Sequence, residues 1–577
     1  MLDQTIAYFS MEIAIDDDIP TFSGGLGVLA GDFLRAIADG AVPAVGVTLL
    51  YRGGFFHQSL DSSGHQVESP VVWNPADRLE HLENRVTITI SGRPVTVGVW
   101  RYVMVGVTGF ETPVYLLDTA VPENTPQDRL ITDRLYGGGP EERLSQEAVL
   151  GLAGIAMLES LGHSDLTTFH MNEGHAALAP VALLQQRSGD DLAVVTAEDL
   201  GAVHQSCVFT THTPVPAGHD RFTLEIVTKV LGAEIARGLG DLGCLEDGML
   251  NMTVLGMFFS GFINGVAKRH GEVSQAMFPH FRVESITNGV HASTWVSPEI
   301  ARLFDDHLPG WREDNTLLSG ADAISLDELR AAHQTAKDTL FDEVMRRSGI
   351  ACDPSVLTIG IARRAAAYKR NDLIFSDLDA LEKVADRAGS LQILCSGKAH
   401  PNDKEGKALI AHLTALAKEL SGAITVVYLT DYGMRLAARL VAGVDVWLNN
   451  PVAPREASGT SGMKAAMNGV PSLSTLDGWW LEGCVEGVTG WAIGTDRGAD
   501  ADADADDSDA AAIDASDASD LRRVLGSVVA PMYYERPEAF AAIGRSAIAA
   551  NGSFFTTERM LREYVERAYQ RHVPIDA

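Results

Sequence analysis

Two series of short apolar runs constrain this chain more than any other feature. Each run closes on glycine or a polar turn, and a helical pattern follows most of them. TIAYFSM, AVPAVGVTLLY, TTFHMN, CVFTTH and VESITNG belong to the first series. The second opens near residue 356 with VLTIGIAR and continues through LQILCSG, AITVVYLT, VDVWLNN and PSLSTLD. Alternating β and α segments predict parallel sheets with helices on both faces. Two series in 577 residues predict two doubly wound α/β domains. Ligands of such sheets bind at the carboxyl ends of strands, so a cleft between the two is the expected site.

The boundaries expected are 1–295 for the first domain and 351–545 for the second. A connector spans 296–350, and ISLDELRAAHQTAKDTLFDEVMRRSG (324–349) within it has helical periodicity. Residues 546–577 end in a capped amphipathic helix, with length enough to cross back to the first domain. ADADADADDSDAAAIDASDASD (499–520) is acidic and low in complexity, and is expected to be a solvated loop.

The formal net charge of −32 argues against nucleic acid and against an anionic membrane surface as partners. No run is long and apolar enough for a membrane span, and the first residues lack a basic start and an apolar core. The expectation is a soluble, cytoplasmic protein. Five scattered cysteines show neither a disulfide framework nor metal-ligand spacing. HMNEGH (170–175) departs from the helical metal-binding spacing, so no metal is expected. Lysine is scarce, ten against 35 arginines. That bias suits a high-salt surface and equally follows from GC-rich coding.

Four stretches carry potential chemistry. EASGTSGMKAAMNG (456–469) places Gly459, Thr460 and Ser461 ahead of a helical segment bearing Lys464. A helix starting there aims free N–H groups at an anion, and Lys464 could reach a phosphorylated aldehyde seated on them. A solvent-facing lysine on an ordinary turn is the alternative. IARRAAAYKRNDL (361–373) clusters Arg363, Arg364, Lys369 and Arg370 after a strand, a pattern suited to one or two phosphates or to a solvated basic face. TFSGGLGVLAGD (21–32) opens a helix at Gly25 and is a second possible anion cradle. His212 and Asn288 follow strands in TTHTPVPAGHDRF and TNGVHASTW, and such residues either bind sugar hydroxyls or serve structure.

Taken in order, YFSMEIA, SGGLGVLAGDFL, MNEGHAALA, THTPVPAGHDRF, FINGVAKRH, ITNGVH, AAAYKR, SGKAHPND, EASGTSGMK and STLDGWWLEG resemble the α-glucan (glycogen, starch and maltodextrin) phosphorylases. The resemblance runs through at least residues 6–480, in what looks like a short form without the long N-terminal extension. It implies two Rossmann-like domains facing a deep cleft, the GT-B-type architecture. It further implies pyridoxal 5′-phosphate held by Lys464 as a Schiff base. Gly459, Thr460, Ser461 and Arg363 would lie near the cofactor phosphate and Tyr432 beside its ring. By the same resemblance, Arg364, Lys369 and Gly25 bind orthophosphate, while Tyr368, His212, Asn288, Glu456, Ser458 and Gly459 surround the glucosyl hydroxyls. The implied reaction is reversible phosphorolysis of α-1,4-glucans with retention. A homodimer is implied, and phosphorylation or nucleotide control of the animal type is not expected. Three departures stand out. Ala14 occupies a tyrosine position of larger members, Arg363 a lysine position, and RLYGGGPEERL (134–144) the position of a gate loop. A nucleotide-sugar-dependent glucan synthase on the same fold, or a catalytically weak glucan-binding homologue, is the alternative.

Overall fold

A computed structural model describes residues 5–189, 192–420, 422–499 and 507–570. The first half builds a nine-stranded sheet. Its strands are β1 (Thr5–Ser10), β2 (Ala44–Leu49), β3 (Glu80–Ile90), β4 (Arg93–Val105), β5 (Glu111–Asp118), β6 (Leu166–Asn172), β7 (Cys207–Thr210), β8 (Phe262–Gly265) and β9 (Glu284–Ser285). Their spatial order is β9-β8-β7-β6-β1-β2-β5-β4-β3. All pairs are parallel except β3–β4 and β4–β5, which add an antiparallel edge. The sequence reading missed that edge, although RVTITISGRPVTVGV alternates as a hairpin should. Ser91 and Gly92 turn it, both at positive φ.

The second half forms a six-stranded, wholly parallel sheet from β10 (Leu357–Ala362), β11 (Leu391–Ser396), β12 (Ile424–Leu429), β13 (Val446–Asn449), β14 (Ser472–Thr475) and β15 (Gly490–Ile493). The order is β12-β11-β10-β13-β14-β15, so the chain reverses direction across the sheet between β10 and β13. That reversal leaves a crevice at the strands' carboxyl ends.

Period-two alternation sorts side chains onto opposite faces. On β1, Ala7 and Phe9 enter one core cluster while Ile6 and Tyr8 enter another. Helix α1 (Gly25–Asp39) covers the second face through Phe33 and Leu34. Helix α2 (Leu326–Ser348) begins at a capping box of Ser325 and Glu328 and stops at left-handed Gly349. Helices α3 (Met434–Gly443) and α4 (Ser461–Met467) belong to the second half. Asp17, from the first half, caps α3 by accepting the Met434 and Arg435 N–H groups at 2.8 and 2.7 Å. A further core cluster joins Trp295, Trp311, Met463, Met467, Trp479 and Phe555, binding residues from both halves.

The acidic tract departs from its expectation. Residues 500–506 lie outside the described residues, but α5 (Asp507–Val524) is a helix. Alanine supplies helix propensity, and Asp517 is buried because arginines meet it. At the chain's end α6 (Thr557–Tyr564) packs its Met560, Leu561 and Tyr564 with Phe33 of α1 and Tyr8 of β1.

Candidate active site

The crevice between β10 and β13 holds a part-buried cation that makes no ion pair among the described residues, although Glu456 lies near enough to attract it. Arg363 follows β10, and its Nε donates to Asn371 Oδ1 at 2.6 Å. One Nη donates to Asn449 Oδ1 at 2.5 Å and the other to Asn450 Oδ1. These are dipoles, not charges, and burial pulls the guanidinium down to about 10. Two of its five N–H groups remain for an incoming anion. Arg364 is exposed and has no hydrogen bond or ion pair among the described residues. Lys369 pairs with Glu456 and lies 4.8 Å from the Tyr368 ring centroid. Arg370, the fourth cation of the sequence cluster, turns away to Asp514 and Asp517.

The Lys464 seat adjoins this crevice. Gly459 takes φ +72, a region a side chain disfavours, and leads the chain into α4. Thr460 caps that helix without a side-chain bond. Ser461 Oγ accepts from Trp447 Nε1 at 3.0 Å, and Ser458 Oγ donates to Gly459 O at 3.3 Å. Lys464 is 7% exposed, and its Nζ has no hydrogen bond or ion pair among the described residues. Instead Nζ lies 3.6 Å from the centroid of the Trp295 ring. Burial pulls the amine down to about 8, against the attraction of the nearby Asp32. Asn468 ties α4 to the same tryptophan by donating to Trp295 O at 2.8 Å. Tyr432 packs between two core clusters, and burial pushes its hydroxyl up.

Asp477 completes this side. Its carboxylate accepts the Glu456 and Gly478 N–H groups, each at 2.8 Å. Burial, with Glu456 beside it, pushes the carboxyl up to about 8.

On the first sheet, Glu12 organises the glycine-rich turn. Its Oε2 accepts Ser23 N–H at 2.6 Å and Gly24 N–H at 3.2 Å, and its Oε1 accepts the Tyr136 hydroxyl at 3.1 Å. Helix α1 then starts at Gly25 with no side-chain cap, and a Cβ at Gly24 or Gly25 would meet open space. Its first N–H groups therefore face outward. His212 Nε2 lies 2.6 Å from Asn172 Oδ1, and burial pulls its imidazole down to about 4. The ring is neutral at pH 7. With Nε2 donating to Asn172, Nδ1 is an acceptor. Glu173, at φ +77, accepts the His212 N–H at 2.7 Å and the Thr213 hydroxyl at 3.0 Å. Asn288 is 4% exposed and its Oδ1 has no partner among the described residues. It shares the lining of one small cavity with His212, Asn172 and Tyr564.

A family model described as carbohydrate phosphorylase matches residues 10–99 and 241–573. The chain belongs to the carbohydrate phosphorylase family. It is 37% identical to a maltodextrin phosphorylase of Thermococcus litoralis, over 99% of this chain and 71% of that protein. A glycogen phosphorylase of Mycobacterium tuberculosis is 35% identical over 98% of this chain and 70% of its own length. One from Aquifex aeolicus is 33% identical, covering 98% and 86%. The family match takes in Gly25, Asn288, the 363–370 cluster and Lys464, whereas His212 falls in the stretch between its two segments.

Several carboxylates of this carbohydrate phosphorylase were not singled out from sequence. Glu12, Glu173 and Asp477 each hold backbone N–H groups that bear on the site. The blocks YFSMEIA, MNEGH and STLDGWW contain them, but nothing in their spacing marks the acid.

Proposed function

We propose that the chain is an α-1,4-glucan phosphorylase of GT-B-type architecture, in which residues 1–295 bind glucan and residues 351–545 seat pyridoxal phosphate. The observation that carries this reading is Lys464, a buried amine with no acceptor among the described residues, beside an uncapped, glycine-led helix start. Such a residue is unfavourable unless a ligand uses it. The fit to pyridoxal phosphate is good. Lys464 would anchor the aldehyde carbon, Gly459, Thr460, Ser461 and Arg363 would receive its phosphate, and Tyr432 would flank its ring. When bound, the cofactor supplies a phosphate with a second pKa of about 6, able to exchange a proton with orthophosphate.

The chain's own residues do the remaining work. Arg364, Lys369 and the Gly25 N–H hold orthophosphate, and their charges offset the repulsion between two anions in a low-dielectric crevice. In this structure Glu456 occupies Lys369. An arriving orthophosphate competes for that lysine and frees Glu456 to accept sugar hydroxyls. His212, Asn288, Tyr368 and Ser458 orient the terminal glucose. The C1–O bond of that glucose breaks and a C1–O–P bond forms on the same face. The proton leaves orthophosphate for the glycosidic oxygen. The products are α-glucose 1-phosphate and a glucan shorter by one unit, with no protein carboxylate pair of the glycosidase kind.

The test is incubation of the cofactor-loaded protein with maltodextrin, with and without orthophosphate. Glucose 1-phosphate forms only with orthophosphate. Its absence from both mixtures, or glucosyl transfer from ADP- or UDP-glucose instead, overturns the reading.

A further inference from the structure

Arg370 directly follows Lys369 and sits in the left-handed region at φ +51. Every part of its guanidinium is engaged. Nε donates to Asn450 O at 2.9 Å, and Nη2 to Pro451 O at 2.9 Å and Asp517 Oδ2 at 2.8 Å. Nη1 donates to Asp514 Oδ1 at 2.7 Å. In return Asn450 Nδ2 donates to Arg370 O at 2.8 Å, while Asn450 Oδ1 receives Arg363. Val452 N–H donates to Tyr368 O at 2.8 Å. The 368–370 turn is thus fastened to 450–452, and Asn450 links it to Arg363.

Both carboxylates come from α5, the acidic tract. Asp514, Asp517 and Asp520 recur at i, i+3 and i+6, so they share one helix face. Asp517 is 2% exposed, and its other oxygen takes Arg497 Nη2 at 2.6 Å. Asp520 accepts Gly494 N–H at 2.8 Å. The helix packs so closely that a Cβ at Gly494 would lie 2.6 Å from Asp517 Oδ1. Asp514 is half exposed, and solvent weakens its hold.

We propose that Asp517 is a positioning residue that, acting through Arg370, holds the 368–370 turn so that Lys369 and Arg363 face the anion site. The inference rests on the reading of Lys369 as an orthophosphate ligand. Without the Asp517 charge, Arg370 keeps its two carbonyl acceptors but only the half-exposed Asp514 as a counter-charge, and its left-handed backbone loses a contact that compensates it. The turn then relaxes and Lys369 leaves its place.

The experiment compares Asp517→Asn, Asp517→Glu and Asp514→Asn in the cofactor-loaded full chain. Asp517→Asn raises the KM for orthophosphate about tenfold, with the glucan KM and the cofactor stoichiometry unchanged. Asp517→Glu recovers most of the loss, and Asp514→Asn changes less. Amide exchange over residues 366–372 quickens in Asp517→Asn alone. Should that variant not fold, Arg370→Lys keeps the charge, loses the fork, and carries the same expectation. An unchanged phosphate KM, or a uniform fall in kcat with the melting temperature, overturns the proposal. Failure of the unaltered chain to cleave glucan with orthophosphate overturns the functional reading instead. Exchange over 366–372 then decides by itself whether Asp517 holds the turn.

Discussion

Lys464 Nζ lies 3.6 Å from the centroid of the Trp295 ring, and the same indole donates its N–H to Asp32 Oδ2 at 2.6 Å. One residue from each half of the chain therefore meets at the proposed cofactor seat, with a carboxylate behind the ring. The π face offsets part of the cost of burying the amine, and the carboxylate polarises the indole. Neither contact is a hydrogen bond to the amine, so it stays available to an aldehyde.

The Lys464 amine, pulled from the usual 10.5 to about 8, sets a pH dependence. Below about 8 it is protonated and unreactive; above, it is free. Capture of pyridoxal phosphate by the cofactor-free chain therefore accelerates with an inflection near pH 8, read by stopped-flow absorbance. Between about 8 and 10.5 the unfolded chain holds one more proton at this position than the folded one. Stability consequently rises with pH through that window. Lys464→Met abolishes the rise.

Arg363→Lys tests the asparagine cradle. A lysine presents its donors at one point and cannot reach Asn371, Asn449 and Asn450 together. At least one buried amide oxygen loses its partner, at a cost of about 1–3 kcal/mol. Denaturant titration should show that loss while cofactor stoichiometry stays at one. An unchanged midpoint would sink the account of the cradle.

Glu173→Gln separates the sugar side from the phosphate side. The carboxylate orders the His212 backbone from a strained φ of +77, with ψ 167. Losing its charge lets His212 shift. Activity toward glucan, as kcat/KM, falls about tenfold to a hundredfold, with the phosphate KM unchanged. Steady-state kinetics in both substrates decides it.

Glu456→Gln removes the anion that competes for Lys369. The phosphate KM falls severalfold, and kcat falls too, because the sugar loses an acceptor. A rise in the phosphate KM would contradict the exchange of partners described above.

Much of this architecture was legible in the chain, for reasons that particular segments show. VLTIGIAR and LQILCSG are continuous apolar runs because their strands are buried on both faces. Lys464 and Arg364 stood out as cations beside glycine turns or strand ends. Glu12, Glu173 and Asp477 did not, since each grips backbone 11 to 39 residues away, and no local spacing reports such a contact. Asp517 was hidden differently. Its tract has the composition of a solvated loop, and only the i, i+3 spacing of its aspartates marks a docking face.

The most direct measurement is glucose 1-phosphate release from maltodextrin and orthophosphate, followed as pyridoxal phosphate is titrated into the cofactor-free protein. The account predicts release that rises linearly with bound cofactor, levels at one equivalent per chain, and vanishes in Lys464→Met. Release independent of cofactor, or none at one bound equivalent, would contradict it.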